Sequence, residues 1–388
     1  MFSKYWYNFF GAAIHYGGMI GSCPFGWDWE ENRVIAVKWR EWLFQFIFLM
    51  VYAPYVSVLM TVKVIYYHAI EDYRSLALMY GLWNWAAMIF LVGLLQIIYG
   101  HDIQRCINEF FEYSETFEDA YITRKKKCEF KRKIWMLDIM MTAVGVIIGL
   151  EILATSTHHA FFPHDPAYPA SLITKEDFTT SMFIALASFY FCGQCVVCTL
   201  IGLQVAAVTN FMFVVTLIIL PEFRTGRKSR YITVAHLRTF QKLPLAYRTL
   251  QILFTMFMDI YGRLLIPLQT LCTNQILFCN FILLTRWEEI DVLHRIILIF
   301  WTMITMGGWT GILECSGTLF LVGARTLTSW KHWNWGTPWR NMYMKKFRRS
   351  SQPIRVHHGS CYTIRKSTVL EFCMGIVRDT FRIMLIDK

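Results

Sequence analysis

Residues 124–156 read RKKKCEFKRKIWMLDIMMTAVGVIIGLEILATS. The segment opens on a block of Lys and Arg and passes into residues 134–156, where Asp138 and Glu151 are the only charges. About 20 apolar residues in helical form cross the hydrocarbon core of a bilayer, so the second half reads as a membrane span. The first half reads as its cytoplasmic flank, because Lys and Arg accumulate on that side. One segment therefore gives both an element and its direction.

Outward from this segment the pattern repeats. Spans are expected at about 42–66, 76–99, 134–156, 178–202, 262–284, 292–320 and 366–385. Two of them outrun the bilayer, since apolar residues continue through Phe211-Met212-Phe213-Val214-Val215 and begin already at Leu250-Gln251-Ile252-Leu253-Phe254. Basic residues recur in alternate connections: Arg224, Arg227, Lys228, Arg230, Arg238 and Lys242 after the fourth span, then Lys331, Arg340, Lys345, Lys346, Arg348 and Arg349 after the sixth. The opposite connections hold little beyond Arg74, Lys175, Arg286 and Arg295. The expected fold is all-α and integral to the membrane. It has seven transmembrane helices, a cytoplasmic N-terminus and an extracellular C-terminus, with helices four to seven extended into a cytoplasmic anchor. Residues 1–320 would form a ligand-binding bundle, and residues 321–388 an anchor helix and a last span. Residues 1–40 lack the continuous apolar core of a cleavable signal, which leaves the first span as its own signal anchor.

The composition agrees. Of 388 residues, 55% are hydrophobic and only 17% charged, against about a quarter charged in soluble domains. A net charge of +11 invites a nucleic-acid reading, but the basic residues sit in inter-span loops rather than on one soluble face. Eleven cysteines suggest a disulfide framework only until they are placed, because most lie in apolar runs or in connections read as cytoplasmic. Cys192, Cys195 and Cys198 have metal-like spacing yet sit mid-span without a neighbouring His or acid, and read as packing residues.

Catalytic chemistry has little support. No nucleophile triad, phosphate loop or paired carboxylate stands out, so no enzyme activity, catalytic residue or cofactor is expected. His158, His159 and His164 form a single cluster beyond the third span, without the recurring sets and acids of membrane metalloenzymes; a structured outer loop is expected there, and no metal. His357-His358 reads as a solvated pair. Polar residues inside spans carry more information, because burying them in lipid is costly. Asn84, Gln194 and Gln204 are expected to bond between helices. Glu151 suits a protonated acid at a ligand cavity equally well. Aromatic residues gather near one end of the bundle: Tyr80, Trp83 and Trp85, then Phe183, Phe189 and Tyr190, then Phe300 and Trp301. Converging there, they would wall a pocket for a small apolar molecule.

The tail adds a resemblance. Ser316, Trp330, a basic amphipathic stretch from Trp339 to Arg349, Ser351-Gln352-Pro353-Ile354, Gly359, Tyr362, Phe372 and Phe381 follow in order. This resembles the C-terminal pattern of insect odorant receptors. Length, inverted seven-span topology and extended fourth and fifth helices agree with it. G-protein-coupled receptors have the opposite hand, and their Asp-Arg-Tyr and Asn-Pro-x-x-Tyr motifs are missing. Gustatory receptors share the fold, but their final-span signature is absent.

The resemblance implies an odorant-gated, non-selective cation channel in the plasma membrane of a sensory dendrite, its last helix lining a tetrameric pore. This chain lacks the long insertion of the common coreceptor, so it looks like a tuning subunit that assembles with that coreceptor and with lipid, binds a small volatile apolar ligand, and does not bind nucleic acid. By position the resemblance implies ligand contacts at Tyr80, Trp83, Ile147, Glu151, Met182, Leu186, Trp301 and Thr305, with Ile383 and Ile386 at the gate and Asp387 at its outer lip. Residues 205–256 and 336–360 would supply the anchor between subunits. Arg378 and Arg382 do not suit a cation path, and Asp379 is expected to be too close in sequence to pair easily with Arg378. The alternatives are a gustatory receptor-like homotetrameric channel, or a transporter or enzyme using Glu151 and the histidines.

Overall fold

A computed structural model describes residues 1–21, 23–37, 53–122, 127–166, 168–174, 176–226, 231–358 and 362–386. The described residues are mostly helical. Among them, five helical stretches are long and apolar enough to cross a membrane: Ser75–Tyr121, Phe130–Phe161, Thr180–Phe223, Lys242–Thr285 and Val292–Ser329. The first expected span falls on helix Ala53–Ala69, with its N-terminal part outside the described residues, and the last on helix Lys366–Ile386.

In chain order the elements are α1 (Lys4–Met19), a hairpin of β1 (Phe25–Asp28) and β2 (Arg33–Ala36), α2 (Ala53–Ala69), α3 (Tyr73–Tyr121), α4 (Lys127–Phe161) and α5 (Thr180–Phe213). They continue with α6 (Lys242–Tyr261), α7 (Leu265–Thr285), α8 (Val292–Ser329), α9 (Pro338–Ser350), a second hairpin of β3 (His357–His358) and β4 (Tyr362–Thr363), and α10 (Lys366–Ile386). The long helices run up and down between two ends. We call upper the end that holds the α4–α5 and α7–α8 connections, and lower the end that holds α1, α9 and both hairpins.

Local chemistry sets the helix ends. Asp72, Thr179, Asp291 and Thr337 each accept a backbone N–H from the first turn of α3, α5, α8 and α9, satisfying donors that a helix N-terminus leaves orphaned. Helix α3 bends at Tyr99 (φ −114°, ψ 18°) and its charged lower third continues past the apolar window. Helix α5 passes into a π-turn over Val214–Ile219 and a last turn Leu220–Phe223. Pro221 has no N–H to offer the Leu217 carbonyl, and Lys133 Nζ bonds that carbonyl instead at 3.0 Å. Thr326 Oγ1 of α8 donates to Leu220 O at 3.2 Å, and Nε1 of Trp330, just past the end of α8, to Phe223 O at 2.9 Å.

The largest buried cluster lies in the lower half. There Phe2, Trp6 and Phe10 stack in a row along the start of α1, with Phe111 and Trp27 meeting them edge-on. A Cβ at Gly11 would stand 2.4 Å from Trp27, so glycine lets the hairpin lie on the helix. Burial, with the Glu115 carboxylate beside it, pushes the Tyr7 phenol up; its O–H donates to Glu115 Oε1 at 3.0 Å. The tail segment packs closely on α8: Cβ atoms at Gly317 and Gly323 of α8 would meet the Lys366 and Ile354 backbones at 2.9 and 3.2 Å. The Gln352 carbonyl accepts from Tyr247 Oη and Gln251 Nε2. Ser316 is fully buried and bonds the Ile312 carbonyl.

Two expectations are corrected. Arg378 does pair with Asp379, Nε to Oδ1 at 2.9 Å: the side chains lie along the exposed helix surface, where Arg is long enough to reach its neighbour. His357-His358 is no solvated pair. It forms β3, is half-buried, and His358 Nδ1 lies 2.8 Å from the Gly262 carbonyl.

Candidate ligand cavity

A cavity of about 1610 Å³ opens among α2, α3, α4, α5, α7 and α8 and reaches toward α6. Small-molecule sites occupy roughly 300–1,000 Å³, so a ligand need fill only part of it. The wall is overwhelmingly apolar; its polar side chains include Lys63, Glu151, Gln194, Gln204, Thr305 and Glu314.

Its upper part is organised by one hydrogen bond. Trp301 on α8 is wholly buried, and its Nε1 donates to Glu151 Oε1 on α4 at 2.9 Å. The indole fits because α3 carries glycine beside it: a Cβ at Gly81 would lie 2.1 Å from Trp301 Cζ3. The second carboxylate oxygen, Glu151 Oε2, is buried with no hydrogen-bond partner among the described residues, as is Thr305 Oγ1 one turn below Trp301. A buried acceptor left unpaired is costly. Both residues line the cavity, so a molecule inside can satisfy them.

The residues expected to bind ligand divide into three groups. Ile147, Glu151, Leu186 and Thr305 line the cavity. Trp301 stands behind that wall and holds Glu151. Tyr80 and Trp83 lie elsewhere: Tyr80 stacks on Phe278 of α7 at 3.9 Å, and Trp83 Nε1 donates to Thr61 Oγ1 of α2 at 2.9 Å. Met182 is exposed near the top of α5. Asn84 makes the expected interhelical bonds, to the Leu271 carbonyl at 2.7 Å and Gln275 Oε1 at 3.0 Å. Gln204 accepts from Tyr261 Oη at 2.8 Å. Cavity residues that the sequence did not single out include Met60 and Lys63 of α2 and Ile148 of α4. Ile148 follows Ile147 directly, a neighbourhood that helical periodicity alone does not resolve.

In α10, Phe372 and Ile376 are buried, whereas Leu370, Met374, Val377, Phe381 and Leu385 form an exposed apolar stripe at helical spacing. Ile383 is half-buried. Ile386 ends the helix with no side-chain description, and Asp387 lies outside the described residues. Arg378 and Arg382 are exposed beside the stripe.

No family model matches the sequence, and no curated protein matches it. Solved structures do. The insect olfactory receptor OR5 from Machilis hrabei superposes with a TM-score of 0.67 at 8% identity, covering 98% of each chain. The same receptor in complex with eugenol gives a TM-score of 0.63 at 11% identity, over 99% of this chain and 98% of that one. An overlap so complete at so low an identity identifies an architecture: this chain has the fold of the insect olfactory receptors.

Proposed function

We propose that the chain is an odorant receptor of that family, the ligand-binding subunit of a non-selective cation channel in the plasma membrane of a sensory neuron. It crosses the bilayer seven times with its N-terminus in the cytoplasm, and assembles as a tetramer with a coreceptor. The lower ends of the helices and α9 make the anchor between subunits. Helix α10 lines the pore, with Ile383 and Ile386 as an apolar gate that closes by dewetting and Asp387 as a cation-attracting lip. Its exposed stripe needs a covering neighbour or a pore, and the other subunits supply it. The exposed Arg378 and Arg382 oppose cation flow, so the coreceptor provides most of the conducting wall and this subunit conducts poorly alone.

The observation that carries the ligand reading is Glu151 Oε2, an unpaired buried acceptor on an apolar wall. Its complement is a small apolar molecule with one hydroxyl, which donates to Glu151 while the rest packs on Ile147 and Leu186. Eugenol, the molecule held by one structure of this fold, is a phenol of that kind. Such a ligand opens the channel only by binding the open state more tightly than the closed one. Helix α8 can pass that preference on, since it carries Trp301 and Thr305 above and packs on the start of α10 at Gly317 below.

The test is whole-cell current from cells expressing this chain with an insect coreceptor, challenged with volatile phenols, alcohols, esters and hydrocarbons. Hydroxylated volatiles should evoke fast cation currents that are absent with the coreceptor alone. Silence to the whole panel despite surface delivery would reject the reading, and robust currents from this chain alone would reject the division of labour at the pore.

A further inference from the structure

The upper end of the bundle holds a group of side chains that the ligand reading does not use. His158 lies in the last turn of α4, Asp165 in the α4–α5 connection, and His294 in the first turn of α8. One ligand atom from each lies within 4.8 Å of the other two. The two imidazoles stand perpendicular with centroids 4.6 Å apart, and both are buried. Each is held by its other nitrogen: His294 Nδ1 is 2.6 Å from Asp291 Oδ2, and His158 Nδ1 is 2.6 Å from Tyr168 Oη. These bonds leave Nε2 as the lone-pair atom of each ring when Nδ1 carries the proton. Neither Nε2 has a hydrogen-bond partner among the described residues. Asp165 Oδ2 stands 3.5 Å from His294 Nε2.

We propose that His158, Asp165 and His294 bind a zinc ion that clasps the α4–α5 connection and helix α8 to the top of α4. Two imidazoles and a carboxylate suit zinc, with a fourth position left to water. The outer hydrogen bonds are those that orient metal-binding histidines, a carboxylate on one and a phenol on the other. Bonds of about 2.0–2.1 Å set tetrahedral ligand atoms roughly 3.3 Å apart, so each atom moves inward by less than about an ångström. Lys63, the nearby cation, already donates to the Pro166 carbonyl at 2.6 Å and to Ser171 Oγ at 3.1 Å. His159 and His164 are not part of the site; they pack on Tyr190 and Phe178.

Position gives the site a consequence. His158 lies seven residues after Glu151 on α4, and His294 seven before Trp301 on α8, so each pair shares a helix face two turns apart. The zinc ligands are thus the upper rung of the seam whose next rung is the Glu151–Trp301 bond. A bound ion holds α4 against α8 above the cavity. This inference does not depend on the odorant reading, and its test needs no current.

Purified full-length protein in nanodiscs, stripped with chelator and desalted, is titrated with zinc chloride. The expected result is one zinc per chain, a raised melting midpoint that chelator reverses, and an X-ray absorption spectrum of nitrogen and oxygen ligands with imidazole scattering. His158→Gln, His294→Gln and Asp165→Asn should each weaken binding at least tenfold, while His164→Asn leaves it unchanged. The spectrum of the wild-type protein keeps the test decisive if a variant fails to fold. No stoichiometric zinc, a sulfur-dominated shell pointing to the cysteines, or equal affinity in the folded variants would overturn the proposal.

Discussion

Breaking the Glu151–Trp301 bond is the sharpest probe of the cavity, because its cost can be worked from the structure. Trp301→Phe keeps an aromatic ring in the slot beside Gly81 but removes the N–H that donates to Glu151 Oε1 at 2.9 Å. The carboxylate then has both oxygens unpaired, since Oε2 already lacks a hydrogen-bond partner among the described residues. Stranding a buried acceptor costs about 1–3 kcal/mol. Glu151→Leu strands the indole N–H instead, at a similar cost. The double variant strands neither group, and the packing lost by trimming the indole appears whether position 151 carries Glu or Leu, and cancels. The two substitutions should therefore be less than additive by about 2–6 kcal/mol, the sum of the two stranding costs. Unfolding of the four proteins by SDS titration in mixed micelles gives the cycle. Additivity to within about 0.5 kcal/mol would mean that the two residues do not act as a pair and that the Glu151–Trp301 rung has been misread.

Further outcomes follow from the same geometry. Gly81→Ala places a methyl group 2.1 Å from the Trp301 ring, so it should destabilise by about 1–3 kcal/mol through overpacking. Gly149→Ala, with open space around it, should be neutral in the same melting assay. Methylating the hydroxyl of an active ligand should raise its half-maximal concentration at least tenfold in the wild type and hardly at all in Glu151→Leu; equal losses in both would place the hydroxyl elsewhere. Glu222 Oε2 accepts from Ile232 N, Thr233 N and Thr233 Oγ1, so Glu222→Ala should cost about 3 kcal/mol or more and reduce surface delivery. Burial pushes the Cys23 thiol up to about 12, which at pH 8 leaves roughly one thiol in ten thousand as reactive thiolate. Maleimide labelling of Cys23 should accordingly require unfolding, and rapid labelling of the native protein would contradict its burial.

Much of this protein is written in local sequence. Hydropathy places the long helices, because a run of apolar residues is the one signal that needs no knowledge of neighbours. The helical continuation of α5 through Val214 and Val215, and the start of α6 well before the apolar window of α7, were legible for the same reason. The tail residues were legible as a pattern, but their purpose was not: only packing reveals that the Gln352 carbonyl accepts from Tyr247 and Gln251, and that Gly317 and Gly323, which the pattern does not include, admit the Lys366 and Ile354 backbones.

Which residues meet is a different matter, decided by helix rotation and by partners far along the chain. Span boundaries put Glu151 and Trp301 toward the same end of the bundle, but their bond spans 150 residues and depends on a glycine in a third helix. Tyr80 and Trp83 face α7 and α2, an azimuth that position within a span does not give. The histidine cluster looked incomplete because a sequence window around residue 158 cannot contain His294, which reaches it only when α8 packs against the top of α4. Composition and hydropathy determined that the chain is a helical membrane protein, because they act residue by residue against the solvent. Tertiary packing alone decided which atoms share a site, because convergence is a property of helices brought together.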